Sequence, residues 1–282
     1  MIHKQQWDWE IKPDTTWLGI SIKELISYKD LLFRLVRKEF LSSYQQTLLG
    51  PFWIILKPLL TVLTYVLVFN KVIGISTQGI PSFLYYLVGI TLWNLFSELF
   101  LTISRTYMSN IAVFSKVYFP RLIMPLSTLL LQSLLFGIQL LLLIVVLCYF
   151  NFTHQINLNG LHMLMAIPAI LITAGIGFGA GLVFAILTVK YKDLFSLMQL
   201  IMNLLMFVCP VFYSLVLVPA KLKWLVNINP LSNQFEIFRY ALLGSGEISG
   251  IQIIYSSVFM IAIVTFGILL FNKMGDKLMD VV

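Results

Sequence analysis

The chain has 282 residues, of which 59% are hydrophobic, 14% aromatic and only 11% charged, with a formal net charge of +7. Soluble domains carry about 25% charged residues because their surfaces face water. So few charges cannot cover a globule, which excludes a soluble fold and makes lipid the solvent for most of the surface.

In chain order, residues 1–50 differ from the rest and read as a cytoplasmic N-terminal region ahead of a transmembrane domain over residues 51–282. More than forty charge-rich residues precede the first apolar run, unlike a secretory signal, whose short basic region leads at once into its apolar core. Ser21 followed by Glu24 reads as a capping box that satisfies free backbone donors at a helix start. After it, Ser27, Asp30, Arg34, Arg37 and Lys38 fall on one side at helical spacing. Leu25, Tyr28, Leu32, Leu35, Val36 and Phe40 fall on the other. A helix with one basic and one apolar face lies in the membrane interface; the alternative is a solvated helix packed on its own protein.

A span needs about 20 apolar residues to cross a core roughly 30 Å thick. Six stretches meet this length: Phe52–Asn70, Phe83–Ser104, Leu122–Phe150, Leu161–Val189, Leu194–Val218 and Ile251–Phe271. The third and fourth are long enough to tilt, and the fifth runs into Pro210 and Pro219. The segment Val218–Gly250 is too polar for a full span, and Pro219, Pro230, Gly244 and Gly246 break it into short pieces. It reads as short re-entrant helices, since irregular backbone at membrane depth is tolerated only where protein or water shields it. Fifteen of the 19 basic residues fall on one side of these spans, and only Lys71, Lys221, Lys223 and Arg239 on the other. The positive-inside rule then places both termini in the cytoplasm, as an even span count requires. The expected fold class is therefore an all-α integral membrane protein: six transmembrane helices, an N-terminal amphipathic interfacial helix, and short re-entrant helices between spans five and six.

Chemistry is read mostly from absences. No G-x-x-x-x-G-K-[ST] occurs, so the chain has no phosphate-cradling loop of its own. His3, His154 and His162 have no metal-ligand spacing, and no Ser/His/Asp group or paired intramembrane carboxylates suggest catalysis. Neither a cofactor nor a metal is expected in this chain. Cys148 and Cys209 read as small buried apolar residues with no disulfide framework. Gly175, Gly177, Gly179 and Gly181 alternate along the fourth span; pairs four apart let another helix or subunit approach closely, a packing signal rather than a ligand loop. Glu98 is the one acidic residue well inside a span. It either lines a pore or pairs with a basic group such as Arg105, because a carboxylate in lipid is costly. Tyr65, Phe69, Trp93, Phe96, Phe207, Phe212 and Tyr213 fall within or at the ends of spans. They are either membrane-interface aromatics or the walls of a conduit that stack on sugar rings. The conduit reading singles out Tyr65, Phe69, Trp93, Glu98, Phe207 and Tyr213.

Four stretches carry a resemblance. The first is Tyr44-Gln-Gln-Thr-Leu-Leu-Gly50-Pro-Phe-Trp53 with Pro58, similar to a Tyr-x4-Leu-Gly-x-x-Trp-x4-Pro pattern. The second is Phe114-Ser115-Lys116-Val-Tyr-Phe-Pro120-Arg121 with Pro125. The third is Tyr191-Lys192-Asp193-Leu194, with lysine in the place of a usual arginine, which keeps charge and loses bidentate geometry. The fourth is Cys209-Pro210-Val-Phe-Tyr213, continuing through Pro219 to Asn229-Pro230-Leu231 and Phe238-Arg239. Together they resemble the permease subunit of bacterial ATP-binding-cassette exporters of lipid-linked polysaccharides: O-antigens, capsules and teichoic acids.

The resemblance implies a multi-pass protein of the bacterial cytoplasmic membrane, working as a homodimer with two copies of a separate ATPase subunit that binds ATP and Mg. It implies that Arg34, Arg37 and Lys38 lie on a gate helix near where a lipid-linked glycan enters. It further implies that Phe114, Ser115, Lys116, Pro120 and Arg121 form the coupling segment on the ATPase, and that Pro219 to Arg239 closes the outer mouth. Such a subunit makes or breaks no bond in the glycan. The competing readings are a drug or small-lipid exporter permease and a membrane-embedded glycan-modifying enzyme.

Overall fold

Runs of apolar residues without strand alternation give helices throughout. The computed structural model describes residues 22–114, 119–156, 160–191, 193–246 and 248–279, and the regular elements among them are all helical. A short helix α1 (Ile22–Ser27) leads into α2 (Lys29–Tyr44). A tight turn at Gly50–Phe52, helix α3 (Trp53–Tyr65) and a wider π turn at Val66–Val72 then make one continuous apolar rod. Pro58 sits inside α3. Next come α4 (Ser82–Ser104), α5 (Thr106–Phe114), α6 (Ile123–Phe152), α7 (Gly160–Met163) and α8 (Ala166–Lys190). The last elements are α9 (Asp193–Val208), α10 (Ala220–Ile228), α11 (Ser232–Leu243) and α12 (Gly250–Met279). Ser21 of the expected capping box lies outside the described residues.

Among the described residues, five stretches are long and apolar enough to cross a membrane: Gly50–Val72, Ser82–Ser104, Ile123–Phe152, Gly160–Lys190 and Gly250–Met274. The expected fifth span is shorter than its hydropathy suggested. It is the 16-residue α9, about 24 Å long, and it stops at Val208 because Pro210 cannot continue a helix.

The bundle is built around α4 and α8. Residues on nearly every side of α4 are buried, among them Leu84, Leu87, Leu92, Leu99 and Ile103, because α3, α6, α8 and α11 all pack against it. On α8 the alternating glycines face two ways. Positions two apart on a helix differ by about 200° in direction, so Gly177 and Gly181 turn to α4 while Gly175 and Gly179 turn to α12. A Cβ on Gly181 would stand 2.8 Å from Ile103 Cβ, and one on Gly179 would stand 2.7 Å from the Val264 nitrogen. Gly267 of α12 returns the contact, with its added Cβ 2.7 Å from the Gly179 carbonyl oxygen. Small residues here substitute for the hydrophobic drive that lipid cannot supply between helices.

A hydrogen bond and a close backbone approach lock this core. The Thr188 hydroxyl on α8 donates to the Ser104 carbonyl at the end of α4, at 2.6 Å. Gly89 of α4 admits the backbone of the turn after α9, where a Cβ would lie 2.5 Å from the Val211 oxygen. α11 ends at Gly244, whose φ of 70° is the left-handed conformation glycine adopts without penalty.

The amphipathic reading of the N-terminal segment matches the burial pattern. Leu25, Tyr28, Leu32, Leu35, Val36 and Phe40 are half-buried, Arg34, Arg37 and Lys38 are exposed, and α2 packs on α6. The cysteine reading holds for one residue of two. Cys209 is buried, but Cys148 is exposed, because it lies on the outward face of the peripheral helix α6.

Candidate functional site

Polar side chains inside a span are expensive, so where several meet they mark a path or a site. Such a meeting occurs where the end of α2 approaches α3, α4 and α6. Tyr44, Lys57, Asn94, Glu98, Gln132 and Gln139 line a cleft of about 260 Å³ there, with Trp53 and Phe136 as apolar walls. The Asn94 amide donates to Gln139 Oε1 at 3.3 Å. Lys57 Nζ lies 3.7 Å from Glu98 Oε1. Partial burial, with the Glu98 carboxylate nearby, raises the Tyr44 phenol above its ordinary value, so it stays a neutral donor at physiological pH.

Glu98 therefore faces the cleft, and its ion-pair partner among the described residues is Lys57 rather than Arg105. The reason is distance along the helix. Arg105 lies seven residues beyond Glu98, about 10 Å further along the axis, and its guanidinium sits over the Phe195 ring at 5.4 Å. The Lys57 and Glu98 side chains are 76% and 46% exposed, and exposed pairs contribute little. Replacing Lys57 by methionine should therefore shift stability by less than about 1 kcal/mol, read by unfolding in detergent. A loss of several kcal/mol would show the pair to be desolvated.

A second cluster lies at the far end of α3. Phe212, in the turn after α9, stacks on Phe69 at 4.6 Å and meets Tyr65 edge-on at 4.7 Å, with Phe207 at 5.7 Å and Tyr86 at 6.4 Å. Tyr65, Phe69 and Phe207 are thus brought together, with the buried Phe212 as the hub. Tyr213 holds the same turn, its hydroxyl donating to the Val208 carbonyl at 2.7 Å. Trp93 stands apart from them. It is buried inside the bundle against Phe96 and Phe235, at 5.6 and 6.5 Å, because α11 covers that face of α4. Of the aromatic set, Phe207 is the ring most open to the outside, at 55% exposure.

The third feature is a buried ion pair in α11. Arg239 Nη1 donates to Glu236 Oε1 at 2.7 Å, and Nη2 donates to the Pro210 carbonyl at 2.7 Å. The guanidinium lies over the Tyr85 ring of α4 at 4.4 Å, while Glu236 Oε1 accepts the Leu215 backbone N–H at 3.2 Å. This clamp ties α11 to α4 and to the turn after α9. Arg239, counted by sequence among the few outer-side cations, is therefore a core residue at 1% exposure.

Of the expected coupling residues, Ser115 and Lys116 lie outside the described residues, as does Lys192 of the third motif. Phe114 ends α5, Phe119 is buried, and Pro120 and Arg121 are half-buried just ahead of α6. Asn94, Gln132 and Gln139 were not singled out by sequence reasoning. Their signal was present: Gln132 and Gln139 are seven apart on a mostly apolar helix, which puts two amides on one face.

Among the described residues, the helical fold, the five long apolar helices and the polar cleft between helices define a multi-pass membrane protein with a polar site on its bundle. The sequence profile of the ABC-2 type transporter family matches residues 30–243, and the chain belongs to that family. It is similar to two proteins of Klebsiella pneumoniae, each described as O-antigen export system permease protein RfbA. One is 25% identical over 267 residues and the other 27% over 271, in both cases covering 94% of this chain and all of the relative. A protein of Myxococcus xanthus with the same description is 28% identical over 196 residues, 69% of this chain and 72% of that one.

Proposed function

We propose that this chain is the transmembrane subunit of an ATP-driven exporter that moves a lipid-linked polysaccharide, of O-antigen, capsular or teichoic-acid type, across the bacterial cytoplasmic membrane. The observation that carries this reading is similarity along 94% of the chain to the whole length of two O-antigen export permeases. On this reading two copies work with two copies of a separate ATPase subunit, which binds ATP and Mg. Both termini are cytoplasmic, residues 1–50 form the cytoplasmic N-terminal region, and α9 is the fifth of six spans. α10 and α11 are the re-entrant helices, and α2 is the gate helix whose Arg34, Arg37 and Lys38 attract the phosphate end of the substrate.

The segment Phe114 to Arg121 couples the ATPase to the bundle. Movement there is transmitted through the contiguous packing of α4 and α8 to the aromatic cluster around Tyr65, Phe69, Phe207 and Tyr213, along which the glycan passes. Trp93 supports that wall from behind, and Glu98 holds the cytoplasmic cleft. This chain makes or breaks no glycan bond.

The test is recovery of an ATPase subunit with the tagged chain from its own membrane. Alanine at Phe114 and Lys116 together should lower recovery about tenfold, the effect of losing about 1.4 kcal/mol at an interface anchor. Deletion of the gene should remove glycan from the cell surface while lipid-linked glycan accumulates inside. A folded preparation that brings down no ATPase, with surface glycan intact after deletion, would overturn the reading.

A further inference from the structure

We infer that the cleft between α2, α3, α4 and α6 is a subsite for a single sugar ring of the transported glycan, an inference that rests on the exporter reading above. Charge excludes the simplest alternative, an anion site. Among the described residues that line it, the one cation, Lys57, is balanced by the Glu98 carboxylate 3.7 Å away, so these residues leave no net positive charge to hold a phosphate.

What the cleft offers is neutral hydrogen bonding in both directions. Asn94, Gln132 and Gln139 each present a carbonyl oxygen and an NH₂ group, and Tyr44 adds a hydroxyl. The alternating donors and acceptors suit vicinal sugar hydroxyls. The Asn94–Gln139 bond is long at 3.3 Å. Gln132 is half-buried and has no hydrogen-bond partner among the described residues. Its amide is open to the cleft, where both its carbonyl oxygen and its NH₂ are available to a ligand.

Apolar contact is present too. Trp53 is 43% exposed and lines the cleft with Phe136, giving surfaces for the C–H face of a pyranose. Size then selects the ligand. A volume of about 260 Å³ accommodates one sugar ring, and the cleft is open on one side, so the rest of a chain can continue beyond it. Position fits as well: Lys57 and Tyr65 are eight residues apart on α3, about 12 Å, so a sugar held here lies a short step from the aromatic cluster.

The experiment places the photo-crosslinking residue p-benzoylphenylalanine at position 132 in the full chain. The chain is expressed with its transport partner in the cell that makes it, alongside equivalent chains substituted at Leu141 and Phe207. Leu141 lies on the same helix outside the cleft and is 63% exposed. After illumination, adducts are scored by periodate staining for glycan and by radiolabelled phosphate for headgroup. A glycan-positive adduct at position 132 and none at position 141 supports the subsite.

An adduct that carries phosphate and does not stain for glycan overturns it and makes the cleft a headgroup site. An adduct with a second copy of the chain overturns it in favour of an interface. Glycan captured at position 207 and nothing at position 132 overturns the subsite and leaves the exporter reading intact. Because the bulky residue itself could disturb the cleft, Gln139→Leu provides a second measurement. With normal ATPase recovery and unfolding behaviour, it should lower surface glycan at least about fivefold, and unchanged surface glycan would overturn the subsite.

Discussion

Arg239→Ala will destabilise the chain by about 3–5 kcal/mol, the cost of breaking a buried ion pair by removing one partner. The geometry explains why the upper part of that range applies. Glu236 is fully buried, so without the guanidinium its charge has no water to turn to. The Pro210 carbonyl loses its donor at the same time, and Tyr85 loses the cation over its ring. Three elements therefore come apart together: α11, the turn after α9, and α4. Equilibrium unfolding of the purified chain in mixed micelles reads the effect. Glu236→Gln should cost less, because its amide oxygen can still accept from Leu215 N–H and from Arg239. Combining Glu236→Gln with Arg239→Met removes both charges and should recover part of the loss of Arg239→Ala, since replacing a buried pair by apolar groups is often nearly neutral. Recovery stays partial because Pro210 is still left without its donor. Arg239→Ala within about 1 kcal/mol of the parent would mean that water reaches the pair.

The same pair shows what a linear reading of the chain could and could not find. Spans were legible because a bilayer imposes a length and a composition that any single stretch either meets or fails. The predicted Phe83–Ser104 and the observed Ser82–Ser104 differ by one residue. The alternating glycines were legible as a packing signal, since a four-residue spacing places small residues on one helix face. Partners were not legible. Glu98 pairs with Lys57, 41 positions earlier, and Asn94 bonds Gln139, 45 positions later; hydropathy carries no information on which helices become neighbours. Arg239 was legible only as a cation on the outer side of the spans. Its burial was not legible, because beside Glu236 three residues earlier it takes the Pro210 carbonyl and the Tyr85 ring, 29 and 154 positions away, to keep it inside. Phe212 was visible as one aromatic among many, and only the turn forced by Pro210 makes it the hub of its cluster.

The glycines offer a sharper test, because one substitution chemistry should change sign with position. Glycine to alanine in the middle of a helix gains roughly 0.5–1 kcal/mol from the backbone alone. At Gly137 nothing lies within 4 Å of the added Cβ, so Gly137→Ala should be stabilising by that amount. At Gly175 the new methyl meets only the Met260 side chain, with Cγ and Sδ both at 2.5 Å, and a flexible thioether can swing aside. The gain and the clash should then nearly cancel. At Gly179 the neighbours are backbone atoms of α12, the Val264 nitrogen at 2.7 Å and the Ile263 carbonyl carbon at 2.8 Å. Backbone cannot rotate away, so α8 and α12 must separate along the contact that holds α12 to the bundle. Overpacking of this kind costs about 1–3 kcal/mol per inserted group. Gly179→Ala should lie at the top of that range, and Gly179→Val beyond it, with little folded protein recovered from the membrane. Unfolding midpoints should therefore fall in the order Gly137→Ala, Gly175→Ala, Gly179→Ala. If Gly179→Ala proved as stable as Gly137→Ala, the close approach of α8 and α12 would not exist in the membrane, and the alternation along α8 would need another occupant on that face.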